Sequence, residues 1–185
     1  MHCTETWFKV HHDVNTYQLD GYTCYRRDRA KRRGGGVAVY VRSRVGSELY
    51  IIPGDDTKFE ILWVKTFVNK IECFIGALYH PPKTAYSTSD ILSYLEHSLD
   101  SIHQATVGHS PLVILAGDFN QITNDDILLL GLQAGLFAPT HRGHNLDRLY
   151  TRGIGYKCVK VVASTIKTEH RAIVAQDESS TIIDF

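Results

Sequence analysis

The sequence predicts an α/β protein built on mixed β-sheets, with helices covering their outer faces. Three observations point there. Strand-like runs outnumber helical ones, neighbouring runs are joined by short polar breaks of the hairpin kind, and two segments read as helices. In chain order, the glycines Gly34, Gly35 and Gly36 open a strand over 37–41. The β-rich runs 59–68 and 72–79 flank Asn69-Lys70, a two-residue break that reads as a hairpin turn, and Pro81-Pro82 ends the pair. Ser89 is a candidate helix cap, and Asp90 sits where the helix dipole favours an anion. Ile91, Leu92, Leu95, Leu99 and Ile102 follow at helical spacing and read as core. Residues 112–116 are an unbroken apolar run, short enough for a buried strand, and Asn124 or Asp125 caps a second helix to about Ala134. Short strands close the chain over 146–151, 156–162 and 171–175.

The 185 residues suit one domain, 1–185, with no repeat or linker. Hydrophobic residues at 43% and charged residues at 22% are ordinary for a globular chain, and zero net charge argues neither for nor against nucleic acid. The distribution is more informative. Arg26, Arg27, Arg29, Lys31, Arg32, Arg33, Arg42 and Arg44 face only Asp28, so this stretch reads as a solvated loop or as a contact to a phosphate backbone. Cys3, Cys24, Cys73 and Cys158 form no C-x-x-C pair, which argues against a zinc framework and suits free thiols in a reducing compartment. The chain lacks a secretory apolar region and any run of membrane-spanning length. An intracellular protein without a membrane partner is expected, in nucleus or cytoplasm; the run 26–33 doubles as a nuclear signal.

The segment Pro111-Leu-Val-Ile-Leu-Ala-Gly-Asp-Phe-Asn-Gln121 carries the chemistry. Gly117 releases the backbone after the apolar run. Asp118 and Asn120 share one face if strand geometry continues. Such a pair either makes a polar turn or holds a phosphate or a metal-bound water. Four other polar clusters stand at strand ends: Thr4-Glu5-Thr6-Trp7, Tyr79-His-Pro-Pro82, Asn145-Leu-Asp147 and Thr168-Glu169-His170. With Arg26-Arg-Asp-Arg29 and Gly34-Gly-Gly-Val-Ala38, this ordered set resembles the endonuclease/exonuclease/phosphatase superfamily. Within it the pattern is most similar to the endonuclease domains of non-LTR retrotransposons, which are related to the apurinic/apyrimidinic endonucleases and deoxyribonuclease I.

The resemblance implies two mixed β-sheets packed face to face with helices outside, a four-layer sandwich. It implies hydrolysis of DNA phosphodiesters with Mg2+ or Mn2+, and a reverse transcriptase domain in a longer parent protein. Glu5 would be the metal ligand, with Glu169 beside it. Asp118 would activate or position the attacking water, Asn120 donate to a phosphate oxygen, and His170 stabilise the charge building on the phosphate. Asp147 would orient His170, and Tyr79 would hydrogen-bond the phosphate. Arg26, Arg27, Arg29, Arg32 and Arg33 would contact DNA. His141 and His144 lack a third nearby ligand and read as loop residues, near DNA. Two departures from the family pattern stand out: the opening strand has no counterpart ahead of Glu5, and Glu169 replaces an aspartate. An N-terminally truncated domain of weakened activity is therefore expected. A non-catalytic nucleic-acid- or protein-binding module is the main alternative. A phosphatase of small phosphoesters is a third reading, against which the basic stretch argues.

Overall fold

The computed structural model describes residues 1–9, 11–29, 34–54, 58–135, 138–156, 158–164 and 168–176. In chain order its elements are β1 (His2–Thr4), a 3-10 turn (Val14–Thr16), β2 (Tyr22–Arg27), β3 (Val37–Arg42), β4 (Ser47–Tyr50), β5 (Glu60–Val68), β6 (Ile71–Tyr79), α1 (Thr88–Ala105), β7 (Leu112–Asp118), α2 (Asn124–Leu129), β8 (Gln133–Ala134), β9 (Asp147–Arg152), β10 (Cys158–Val162) and β11 (Ala172–Gln176). A large sheet runs β4-β5-β6-β7-β9-β8; a small one runs β1-β3-β2; β10 and β11 form a separate ribbon. Among the described residues, only β6 and β7 pair in parallel, with α1 as the crossover, so the large sheet is mixed.

The β5–β6 hairpin turns at Asn69 and Lys70, whose φ angles of 50° and 67° are both left-handed. Two such residues give the turn whose twist matches antiparallel strands. Both faces of β5 are buried. Ile61 and Trp63 join a core with Ile91, Leu95, Leu99 and Ile102 of α1 and with Phe74, Val113 and Leu115. Leu62 and Val64 join a second core with Val37, Val39 and Val41 of β3 and with Ala77 and Tyr79. The two sheets therefore pack face to face, and a central strand buried on both sides reads as a continuous apolar run. The α-helices gather on the outer face of the large sheet. On the outer side of the small sheet, the Tyr40 hydroxyl donates to the Tyr17 carbonyl at 2.8 Å, beside the 3-10 turn.

Several boundaries differ from expectation for local reasons. The cap of α1 is Ser87, not Ser89: Asp90 reaches back three residues to the Ser87 N–H, and the Ser87 hydroxyl accepts from the Asp90 N–H. Thr123 makes the same box with Asp126, so it, not Asn124 or Asp125, caps α2. This helix stops at Leu129, because Gly131 (φ 75°) turns the chain and Gln133–Ala134 pairs with β9 as the edge strand of the large sheet. The closing strands lie within two residues of their expected limits. β1, β2, β4 and β8 were not legible, being short and held by pairing rather than by apolar pattern. All four cysteines are free. Among the described residues, no helix is long and apolar enough to cross a membrane.

Candidate active site

Register places the polar groups. Across the large sheet, Glu60 lies opposite Tyr79, Tyr79 opposite Asp118, and Asp118 opposite Asp147. Residues directly opposite share a sheet face, so four strands present one row of side chains. Tyr79 belongs to the core between the sheets, which puts the row on the face toward the small sheet, at the end of the interface. β1 of the small sheet leads directly into Glu5, and the Tyr79 hydroxyl donates a short hydrogen bond to Glu5 Oε1. From beyond β9, His170 Nδ1 lies 2.8 Å from Asp147 Oδ2. One ligand atom from each of Asp118, Asp147 and His170 falls within 4.8 Å of the others.

The turn after β7 is built tightly. The strand ends at Asp118, and Asn120 takes a left-handed φ of 41°, which asparagine tolerates. Asp118 and Asn120 therefore meet through a turn rather than along a continued strand. Asn120 Nδ2 donates to Asp118 Oδ1 and to the His80 carbonyl, both at 2.8 Å, so both amide hydrogens are engaged by protein oxygens. The buried Arg148 pins the turn by donating to the Ile122 carbonyl (2.7 Å), the Asn145 carbonyl (2.9 Å) and the Asn120 carbonyl (3.3 Å). Gly117 is required by close approach: a Cβ there would sit 2.7 Å from the Leu78 carbonyl carbon and inside the reach of its oxygen.

These neighbours displace the titrations. Burial, then the Asp147 charge, raise the Asp118 carboxyl from 3.8 to about 6, while His170 and the Asn120 N–H pull the other way. Burial alone would lower the His170 ring, but the hydrogen bond and charge of Asp147, joined by Asp118 and Glu5, outweigh it and raise the pKa. Burial and the bond to Glu5 raise Tyr79. The site thus holds a carboxyl that ionises late beside an imidazole that stays protonated late, an arrangement suited to proton transfer at a phosphate.

The other expected site residues lie elsewhere. Glu169 points to the exposed rim and pairs with Arg142. Arg26 bonds Asp28 at 3.0 Å and stacks over Tyr17, 3.9 Å from the ring centroid. Arg27 donates to the Ile61 carbonyl at 2.8 Å, and Arg29 is held by Glu60. These three arginines are spent on protein groups; Arg32 and Arg33 lie outside the described residues. His141 and His144 close a tight turn through Arg142 and Gly143, and the His141 ring stacks on His170 at 4.3 Å between centroids. Sequence reasoning missed Glu60, Arg148 and the His141 stacking. Glu60 had a signal: counting outward from the Asn69-Lys70 turn pairs Tyr79 with position 60. The other two had none.

The sequence matches the profile of the Endonuclease/Exonuclease/phosphatase family over residues 4–167. No curated protein sequence matches it. Among solved structures, it is similar to the endonuclease domain of TRAS1, a telomere-specific non-LTR retrotransposon, at 13% identity and TM-score 0.64, covering 88% of this chain and 83% of that one. It is also similar to the 3′ phosphatase NExo from Neisseria, bound to a product DNA hairpin, at 15% identity and TM-score 0.65, covering 96% and 88%. A truncated TDP2 from Caenorhabditis elegans gives 14% identity and TM-score 0.59, covering 93% and 81%. At these identities the structural likeness concerns the fold.

Proposed function

The chain belongs to the endonuclease/exonuclease/phosphatase family, hydrolases of phosphodiesters and phosphate esters, and from that premise we propose that it nicks DNA as a divalent-metal-dependent endonuclease. The observation that carries this reading is the convergence of Asp118, Asp147 and His170 within 4.8 Å, with Glu5 tied in through Tyr79.

The donor set fits Mg2+, or Mn2+. Glu5, Asp118 and Asp147 bring hard carboxylate oxygens, of which Mg2+ needs one or two beside its waters, and carboxylate and water ligands suit Mn2+ equally. Glu5 would hold the ion, whose positive charge would offset the carboxylates and the phosphate. Asp118, ionised above about pH 6, is basic enough to take a proton from the attacking water. Asn120 keeps that carboxylate aimed with two hydrogen bonds, from its N–H and its amide. His170, whose protonated form Asp147 favours, donates to a non-bridging phosphate oxygen as charge builds there. Tyr79 fixes Glu5. Phosphate contacts would position the DNA without reading its sequence. A reverse transcriptase domain in a longer parent protein is the partner that the retrotransposon resemblance implies.

Supercoiled plasmid is the test. The full chain should nick it with Mg2+ and not with EDTA. Asp118→Ala and His170→Ala should abolish nicking while DNA binding survives. Nicking that persists in EDTA, or in either variant, would refute the assignment. DNA binding with no metal-dependent cleavage would favour a binding module, and phosphate release from a small ester with DNA untouched a phosphatase.

A further inference from the structure

We propose that Glu60 and Arg29 are positioning residues for the metal site, locking the Tyr79 phenol and, through it, the Glu5 carboxylate. This rests on the metal-dependent reading above. Glu60 stands in the same row as Tyr79, Asp118 and Asp147, one strand further out. Both its oxygens are committed: Oε2 accepts the Gly36 N–H at 2.6 Å, and Oε1 accepts from Arg29 Nε at 2.7 Å and from Nη2. Two N–H groups of one planar guanidinium converge on the same carboxylate oxygen, Oε1, which fixes the guanidinium's place beside Glu60. So fixed, Arg29 lies 5.5 Å from the centroid of the Tyr79 ring, within range of a cation–π contact. The Tyr79 hydroxyl then donates to Glu5.

Glu5 needs such a restraint. It is exposed, it follows the last residue of β1, and its backbone is left-handed at φ 51°. The Tyr79 hydroxyl donates the hydrogen bond that anchors its carboxylate. The backbone also makes room for the ion pair. Gly35 has φ 74°, and a Cβ there would lie 2.5 Å from Arg29 Cζ. The glycine run thus lets the chain lie against Arg29 and Glu60. The side chains of Arg29 and Glu60 are only 20% and 12% exposed, so this arginine faces the protein interior rather than a DNA backbone.

The test separates the two roles of Arg29. Mn2+ binding to the full chain is followed by electron paramagnetic resonance without DNA, and DNA binding by fluorescence anisotropy in EDTA. Arg29→Met and Glu60→Gln should each weaken Mn2+ binding about tenfold, as loss of a partner behind a metal ligand does. DNA binding in EDTA should stay within about twofold for both. Arg29→Lys should recover part of the loss. In a Tyr79→Phe background, Arg29→Met should add nothing, because coupled residues are not additive. Circular dichroism melting checks that each variant is folded, and Glu60→Gln, which keeps an acceptor for Gly36, is the milder one. Undiminished Mn2+ binding in both folded variants would overturn the proposal. So would a loss confined to DNA binding, which is what a phosphate-contacting arginine would give. A parent chain that binds no Mn2+ at all would remove the metal reading and this inference together.

Discussion

Replacing Asp118 by asparagine should abolish nicking and, in metal-free buffer, make the protein more stable. Asp118 is 4% exposed at the junction of β6, β7 and β9. Burial and Asp147 raise its carboxyl from 3.8 to about 6. A carboxyl that binds its proton more tightly folded than unfolded favours the fold while protonated and opposes it once ionised. Relative stability therefore falls as pH rises from about 4 and is fully lost above about 6. The gap between those values is worth roughly 3 kcal/mol. Asparagine keeps an oxygen for the two donors of Asn120 and turns an amide toward the Asp147 carboxylate, with no charge to bury. For a chain of this length each kcal/mol moves the melting temperature by roughly 2–4 °C, so in EDTA at pH 7.5 the variant should melt roughly 6–12 °C higher. The advantage should close near pH 4, where the parent carboxyl is also neutral. Added Mg2+ should raise the melting point of the parent and leave the variant behind. Differential scanning calorimetry across this range measures all three. A variant melting at or below the parent at pH 7.5, or one keeping its advantage at pH 4, would refute the reasoning.

Asp147→Asn should shift both limbs of the pH–rate profile downward: it removes the partner that raises His170 and the charge that raises Asp118. The His170–Asp147 pair stabilises the fold below the ordinary histidine value of 6.5, and its contribution disappears as pH climbs through the raised folded value; an unmoved alkaline limb would exclude the pairing. Gly117→Ala drives a methyl into the Leu78 carbonyl, so β6 and β7 must part just beneath Asp118. It should cost about 3 kcal/mol in urea denaturation and about a hundredfold in nicking rate, and parent-like values would show that the strands yield easily. Glu169→Gln, on an exposed rim beside Arg142, should leave nicking within about twofold. A collapse of activity with weakened Mn2+ binding would instead make that carboxylate a ligand.

What was legible in the chain is what short windows encode. The apolar run before Gly117, the Asn69-Lys70 break and the helical spacing from Ile91 to Ile102 each specify an element over about ten residues, through side-chain period and turn chemistry. Glu5, Tyr79, Asp118, Asp147 and His170 stood out as a set only through the resemblance to a known family, since β1, which leads into Glu5, was not legible as a strand. The cap Ser87 was missed by two residues, although the Asp90 box that selects it was also in the sequence.

Tertiary structure alone decided the rest. Whether Glu60 stands beside Tyr79, or Asp147 beside Asp118, is a matter of register, and a slip of one residue would turn either side chain to the opposite face. The inward turn of Arg26, Arg27 and Arg29, and the outward turn of Glu169, follow from which partners the packed sheets bring within reach. A charge run reads the same in one dimension whether it faces solvent, DNA or a buried carboxylate. Only burial against β5 and Tyr79 tells these apart, because the cost of an unpaired buried charge exists only once the second sheet has closed over it.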